Sequence, residues 1–214
     1  MRLSAHLGRQ PEYMSLLRAF IAADISKAIQ QVIQDKIEEL RRTIGNTPVR
    51  WTPSQNIHLT LKFLGDISPT NVDDLIQLLR AEADICSPFD IHINRLGCFP
   101  SSKRPRVLYI GIQSPAELET LQRKIEVTTA RYGSKSESRS FSPHLTIGRI
   151  RQNATPADQQ KIRKALEVIK IDSPGTIRVD SIHLYKSELK PSGAVYTKLF
   201  TAPLRTVIAD NPKQ

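Results

Sequence analysis

The sequence contains two copies of a short motif in which a threonine follows a histidine at the second position. The first copy, HLTL, occupies residues 58–61, and the second, HLTI, occupies residues 144–147. In an extended strand, residues i and i+2 point to the same face. Each copy therefore presents an imidazole and a hydroxyl on one face, and aliphatic side chains on the other.

Two such strands lining one cleft would suit the cleavage of a phosphodiester without a metal ion. Of His58 and His144, one as neutral imidazole would take a proton from water, and the other as imidazolium would protonate the leaving oxygen. The ordinary pKa of histidine, about 6.5, allows both forms near neutral pH. Thr60 and Thr146 could donate hydrogen bonds to phosphate oxygens. A single His-x-Thr is more often a structural pair, so its recurrence with matching flanks is what favours catalysis.

The sequence lacks the residue patterns that are typical of other kinds of catalytic site. The sequence has no His-x-His, His-Glu-x-x-His or Cys-x-x-Cys pattern, and Asp66 lies outside the alternation of the polar face. It also has no Gly-x-Ser-x-Gly elbow and no Gly-rich phosphate loop. His92 and His183 lie in strand-like stretches without a paired threonine, and we assign them no catalytic role. We therefore expect neither a metal site nor a cofactor.

Composition indicates a soluble protein with a basic surface. The 214 residues are 39% hydrophobic and 24% charged, with a net charge of +10 and a pI near 9.8. This charge favours polyanions such as nucleic acid, although a basic surface alone does not require such a partner. We find no apolar run of eighteen residues, no signal-peptide core and too few cysteines for a disulfide scaffold. A cytoplasmic, membrane-free location is expected.

Hydrophobic spacing and turn residues predict a mixed α and β chain without regular βαβ alternation. Helical spacing covers residues 26–44, and Ser-Pro or Thr-Pro pairs that resemble N-caps begin helices expected at 69–84, 115–132 and 156–169. Strand-like stretches are expected at residues 18–23, 49–51, 57–64, 89–96, 106–112, 144–150, 177–185 and 194–199.

Strict alternation assigns side chains around the motifs to two faces. On the first strand, it assigns His58, Thr60 and Lys62 to the polar face and Ile57, Leu59, Leu61 and Phe63 to the core. On the second strand, it places Arg149 on the face opposite His144. A role for Arg149 beside His144 therefore requires a bulge or bend in that strand.

The motif blocks resemble the two-histidine (2H) phosphoesterase superfamily, in particular the RNA 2′,3′-cyclic phosphodiesterases, also called 2′-5′ RNA ligases. The similarity extends from about residue 17 to 204 and is carried by segments 18–22, 56–65, 99–100, 104–108, 141–149, 184–187 and 196–197. It implies an α+β, bilobal fold with pseudo-two-fold symmetry, in which two antiparallel sheets face a central cleft and helices cover the outer faces.

The resemblance also implies a reaction, the metal-independent hydrolysis of a terminal RNA 2′,3′-cyclic phosphate to a 2′-phosphomonoester. It assigns His58 and His144 as the catalytic pair and Thr60 and Thr146 as phosphate ligands. Because the 3′ oxygen must leave, we assign His58 as the general acid and His144 as the general base. Arg149 matches an arginine that the family uses near the phosphate, although a surface role explains it equally well.

Further residues are candidates for binding RNA. By family analogy Phe63 stacks on the terminal base, although alternation places it in the core. Lys62 shares the predicted face of His58, and Lys103, Arg104 and Arg106 lie in a basic loop that could hold backbone phosphates. Solvated side chains are the simpler explanation for these four basic residues.

We expect residues 18–205 to form a single two-lobed domain between a poorly ordered N-terminal tail at 1–17 and a C-terminal tail at 206–214, with Met14 as an alternative start. The expected partner is RNA with a 2′,3′-cyclic phosphate end, and we expect a monomer without an obligate protein partner. Three alternatives remain open: 2′-5′ RNA joining or cleavage, opening of another cyclic phosphate such as ADP-ribose 1″,2″-cyclic phosphate, and a non-catalytic RNA-binding module.

Overall fold

The computed structural model describes residues 15–132, 140–171, 175–191 and 193–205, so Met14 and the predicted tail at 206–214 lie outside it. The helices in these residues are α1 (Lys27–Ile44), α2 (Val72–Asp84), α3 (Ala116–Thr128) and α4 (Pro156–Val168), with short 3-10 helices at Ser54–Asn56 and Pro69–Asn71. The strands are β1 (Leu17–Ala23), β2 (Val49–Trp51), β3 (Leu59–Ile67), β4 (Phe89–Phe99), β5 (Val107–Gln113), β6 (His144–Ile150), β7 (Thr176–Val179), β8 (Ser181–Lys190) and β9 (Gly193–Pro203).

The strands form two antiparallel halves that meet in the middle of the molecule. The order is β7-β4-β5-β6-β3-β1-β8-β9, and β2 pairs with β6 alongside this path. Half A comprises β3, β1, β8 and β9, and half B comprises β6, β5, β4 and β7. Between β3 and β6 the described residues pair at Leu59 and Leu145. This arrangement confirms the predicted α+β fold and shows that the two expected sheets are hydrogen bonded to each other.

The sheet is strongly curled. β7 and β8 are separated by Asp180 alone, yet they lie six strand spacings apart in the sheet order. In a flat sheet that distance would be about 29 Å, whereas one residue spans about 3.5 Å. The single strand predicted over residues 177–185 is therefore wrong, because its first part pairs with β4 in half B and its second part with β1 in half A.

All four of these helices bury one apolar face in a common core. In α1 that face consists of Ile29, Ile33, Ile37, Leu40 and Ile44, spaced three or four residues apart. These side chains share a buried cluster with the inward residues of both halves, including the aliphatic residues of both motif strands. The opposite face of the sheet carries none of these four helices, and we call it the cleft face.

The helix starts agree with the predicted caps in part. Thr155 caps α4 as predicted, and its side chain forms a capping box with Asp158. The Ser68 hydroxyl accepts from the Thr70 amide, but it caps a 3-10 turn that precedes α2. The cap predicted at Ser114 is wrong: Pro115 occupies the N-cap position, and the buried Ser114 hydroxyl has no hydrogen-bond partner among the described residues.

Candidate active site

The two His-x-Thr motifs lie on neighbouring antiparallel strands and face the same side of the sheet. Leu59 and Leu145 pair across β3 and β6, and both are fully buried in the core. The residues that flank them therefore point to the cleft face. The antiparallel register directs His58 towards Thr146 and Thr60 towards His144. The motifs thus converge as predicted, around a pseudo-two-fold axis between the two leucines.

A β-bulge in β3 changes the face to which the following residues point. Thr60 pairs with Ala22 and Lys62 pairs with Ile21, which leaves Leu61 without a partner on β1. An unpaired residue inverts the alternation of the residues that follow it. Phe63 consequently turns to the cleft face, where it is 56% exposed, and its predicted core position is wrong.

The same bulge buries Lys62 among the helices. Its ammonium group donates to the Glu126 carbonyl at 3.1 Å and forms an ion pair with the Glu126 carboxylate at 3.1 Å. Gln122, one turn earlier on α3, donates to the carbonyl of the bulged Leu61 at 3.4 Å. The prediction that Lys62 shares a face with His58 and contacts RNA is therefore wrong, because α3 holds this lysine on the core side.

An equivalent bulge occurs in β6. Thr146 pairs with Tyr109 and Gly148 pairs with Leu108, so Ile147 has no partner on β5. Arg149 is thereby brought to the same face as His144 and Thr146, where it is exposed. The bulge that a role for Arg149 requires is present, at the third residue after the histidine in both motifs.

The imidazole of His58 belongs to a column of aromatic rings. It stacks on Phe20 with centroids 4.7 Å apart, and Phe20 stacks on Tyr185 at 5.1 Å. The ring of Tyr196 lies edge-on to His58 at 5.3 Å. Burial lowers the pKa of His58 from 6.5 to about 4, although the backbone of Asn56 and the charge of nearby Asp24 partly oppose this shift. His58 is therefore neutral at pH 7 in the free protein.

A half-buried polar cluster around Asp24 supports this column. The Tyr185 hydroxyl donates to Asp24 at 2.5 Å, and the Lys198 ammonium donates to it at 2.7 Å. Burial raises the pKa of Asp24, but these two hydrogen bonds together with the charges of His183 and Lys198 outweigh burial, and the net pKa is lowered. His183, which is 3% exposed, lies 3.5 Å from the Asp24 carboxylate. Sequence reasoning missed this cluster because its members come from distant parts of the chain, next to β1 and on β8 and β9.

The imidazole of His144 has different surroundings. Its Nδ1 lies 2.7 Å from the Ser142 carbonyl, which can only accept, so Nδ1 carries a proton and Nε2 accepts in the neutral ring. Phe99 and Tyr109 lie edge-on to it at 4.9 and 5.4 Å. Tyr109 fits closely over Gly97, where a Cβ would lie 2.5 Å from the ring. His144 is thus oriented by one hydrogen bond and two rings.

The sequence of this chain matches the family model of the 2′-5′ RNA ligase superfamily over residues 29–191. The chain belongs to this superfamily. An Aquifex aeolicus protein named RNA 2′,3′-cyclic phosphodiesterase is 33% identical over 186 residues, which cover 86% of this chain and 95% of the relative. A protein of the same name from Methanothermobacter thermautotrophicus is 29% identical over 86% of this chain and 96% of the relative. The predicted family resemblance is confirmed.

Solved structures agree with this assignment. The structure of Escherichia coli LigT complexed with 3′-AMP has a TM-score of 0.67 and 25% identity, and the match covers 88% of this chain and 98% of LigT. The structure of TT0787 from Thermus thermophilus has a TM-score of 0.74 at 24% identity, and the match covers 88% of this chain and 98% of TT0787. The second likeness supports the fold alone.

This superfamily member also has exposed basic residues at the Arg149 end of β6. The predicted Lys103, Arg104 and Arg106 are exposed in the β4–β5 loop, and the Arg106 carbonyl accepts from Ile150 at 2.9 Å. Arg50 on β2 pairs directly with Arg149, and sequence reasoning did not identify it. None of these five residues forms an ion pair with a described residue. We call them the basic rim.

Three other features of the described residues bear on function. Among them, no three His, Cys, Asp or Glu side chains are grouped so that they could hold a metal ion. None of the helices in these residues combines the length and apolarity needed to cross a membrane. Cys86 and Cys98 are both free and half-buried.

Proposed function

We propose that this protein hydrolyses the terminal 2′,3′-cyclic phosphate of RNA to a 2′-phosphomonoester, using His58 and His144 and no metal ion. The observation that carries the proposal is the juxtaposition of the two His-x-Thr motifs across the Leu59–Leu145 pair. The names of the curated relatives, RNA 2′,3′-cyclic phosphodiesterase, support the same reaction.

In the proposed mechanism, His144 is the general base. Its protonated Nδ1 donates to the Ser142 carbonyl, which leaves the Nε2 lone pair free to accept a proton from water. The water oxygen forms a bond to phosphorus as the bond from phosphorus to the 3′ oxygen breaks. His58 donates its proton to the departing 3′ oxygen, so that the product carries a 2′-phosphate and a 3′-hydroxyl.

The protonation of His58 depends on the substrate in this mechanism. In the free protein burial lowers its pKa to about 4, so the proton donor is scarce near pH 7. The cyclic phosphate carries a negative charge, and an anion a few ångströms away favours the imidazolium. Substrate binding therefore raises the pKa of His58, and the imidazole takes up a proton from solvent. A buried imidazolium is also a strong acid towards the leaving oxygen.

The phosphate is held by groups from both halves in this proposal. Thr60 and Thr146 donate hydrogen bonds to the non-bridging oxygens, and the positive charge of Arg149 on the same face favours the anion from farther along β6. Phe63, exposed on the cleft face beside Phe20, provides a surface for stacking by the terminal base. RNA is accordingly the proposed partner.

The test uses a short RNA that ends in a 2′,3′-cyclic phosphate, incubated in excess EDTA, with authentic 2′- and 3′-phosphate products as standards. A 2′-phosphate product is expected, with rates that fall by about 10²–10⁴-fold in His58→Ala and in His144→Ala. His92→Ala is the matched control. His92 on β4 contacts Thr176 on β7, away from the motifs, so this variant should retain activity. A 3′-phosphate product would contradict the proposed leaving group, and RNA binding without turnover would indicate a binding module.

A further inference from the structure

We infer that Arg50 and Arg149 together form a binding subsite for a second RNA phosphate, the phosphodiester on the 5′ side of the terminal nucleotide. The inference rests on the proposed function and extends it, because it makes an oligonucleotide the preferred substrate. The ligand class is a singly charged phosphodiester anion in a flexible single strand.

The observation behind this inference is a pair of arginines without a counter-charge. Arg50 and Arg149 are direct cross-strand partners of β2 and β6, and both are exposed. Like charges in this position destabilise a sheet. Neither guanidinium forms an ion pair with a described residue, and neighbouring Arg106 adds a further positive charge. An anion between the two guanidinium groups would relieve the repulsion.

The backbone holds this pair in a defined position. Val49 is 1% exposed, and Trp51 packs against the core with the Arg41 guanidinium over its ring. On the other strand, Gly148 lies so close to Val49 that an added Cβ would be 2.8 Å from its Cγ1. Strand β2 therefore packs closely against β6, which fixes the backbone from which the Arg50 side chain extends towards the cleft.

The location of the arginine pair suits the next phosphate of the RNA strand. β2 and β3 pair with the same edge of β6, so Arg50 lies along the line that begins at the catalytic motifs. Arg149 is three residues beyond Thr146, which corresponds to at most about 10 Å along a strand. A separation of this size between two phosphate sites corresponds to roughly one nucleotide of RNA. A guanidinium group binds phosphate oxygens in a bidentate manner, which suits both arginines to this ligand.

The test compares two substrates with the same reacting end, of which only the longer has the second phosphate. One is a nucleoside 2′,3′-cyclic monophosphate, and the other is a trinucleotide with the same terminal nucleotide. In Arg50→Gln, the ratio of kcat/KM for the trinucleotide to that for the mononucleotide should fall about tenfold. The slope of log kcat/KM against log salt for the trinucleotide should become shallower by about 0.7.

Two further variants control for charge and geometry. Arg123→Gln removes the same charge from an exposed position on α3, on the helix side of the sheet, and should keep the wild-type ratio. Arg50→Lys keeps the charge but loses the bidentate geometry, so its ratio should lie between those of wild type and Arg50→Gln. Thermal unfolding of each variant confirms that the comparison is made on folded protein.

The subsite and the proposed reaction fail in different ways. An unchanged ratio in Arg50→Gln, in an active protein, would overturn the subsite alone. If wild type hydrolyses neither substrate, the proposed function fails. The subsite is then tested by the affinity for a fluorescent trinucleotide with a 2′-phosphate end, which should fall about tenfold in Arg50→Gln and not in Arg123→Gln. Equal affinities would overturn it.

Discussion

The two halves of this molecule share a backbone plan and differ in the side chains that it displays. In each half a His-x-Thr motif precedes a β-bulge, which brings the fifth residue after the histidine to the cleft face. In half A that residue is Phe63, and in half B it is Arg149. The same kind of β-bulge therefore presents an aromatic ring on one side of the cleft and a positive charge on the other.

The surroundings of the two histidines differ in the same way, with a column of aromatic rings in half A and positive charge in half B. His58 is stacked within aromatic rings that exclude water and lower its pKa to about 4. His144 lies on β6 in half B, the half that carries Arg149 and the basic β4–β5 loop. The acidic residue nearest the column, Asp24, is already neutralised by Lys198. In the proposed function, half A receives the nucleoside and half B the phosphate backbone, so that an RNA end has one preferred direction in the cleft.

The largest expected effect separates the roles of the two histidines. A substrate with sulfur in place of the bridging 3′ oxygen has a leaving group that needs little protonation. On this substrate, His58→Ala should recover most of the activity that it loses on the oxygen substrate, a gain of about 10²-fold or more, whereas His144→Ala should remain inactive. Recovery by His144→Ala instead would show that the two roles are exchanged.

The next effect contrasts Lys62 with its exposed neighbour. Lys62→Met leaves the Glu126 carboxylate without its partner and should lower the free energy of unfolding by about 2–3 kcal/mol, less than for a fully buried pair because Glu126 is 25% exposed. Phe63→Ala should change stability by less than about 0.5 kcal/mol and raise KM for RNA. Urea unfolding and initial rates measure the two effects, with exposed Lys164→Met on α4 as the matched control. Equal loss of stability in both lysine variants would contradict the buried pair.

The pH dependence should reveal the lowered pKa of His58. In the free protein, NMR titration of the His58 ring protons should have a midpoint near 4 rather than near 6.5, the ordinary histidine pKa. Because an anion beside the ring favours the imidazolium, a bound 2′-phosphate nucleotide should move this midpoint to higher pH. A midpoint near 6.5 in the free protein, measured where it stays folded, would show that the ring column does not desolvate His58.

The smallest effect concerns the support of the column. The folded-state pKa of Asp24 is lowered, so its contribution to stability is present above the unfolded pKa of about 3.9 and is lost as the pH falls through the folded value. Asp24→Asn should therefore cost about 1 kcal/mol near pH 7, a modest value because the side chain is 42% exposed, and less at low pH. Exposed Asp66→Asn is the control. A loss for Asp24→Asn that is the same at all pH values would indicate a purely steric effect.

Local sequence patterns predicted the parts of the site that depend on neighbours along the chain. The alternation of Leu59 and Leu145 with polar residues placed both histidines and both threonines on one face, and the structure has the same arrangement. The apolar spacing in 26–44 and the Thr155 cap likewise predicted α1 and the start of α4. The same reasoning failed across Asp180, where pairing with distant strands decides the local structure, and at Ser114, where Pro115 takes the N-cap position.

The sequence by itself determined the two motifs, the amphipathic helices and the family, because each depends on residue types at short spacing. Only the tertiary structure decided the faces of Lys62, Phe63 and Arg149. A bulge exists only relative to a partner strand, and Lys62 finds its counter-charge 64 residues away on α3. The lowered pKa of His58 also required the folded chain, because the rings that desolvate it come from β1, β8 and β9.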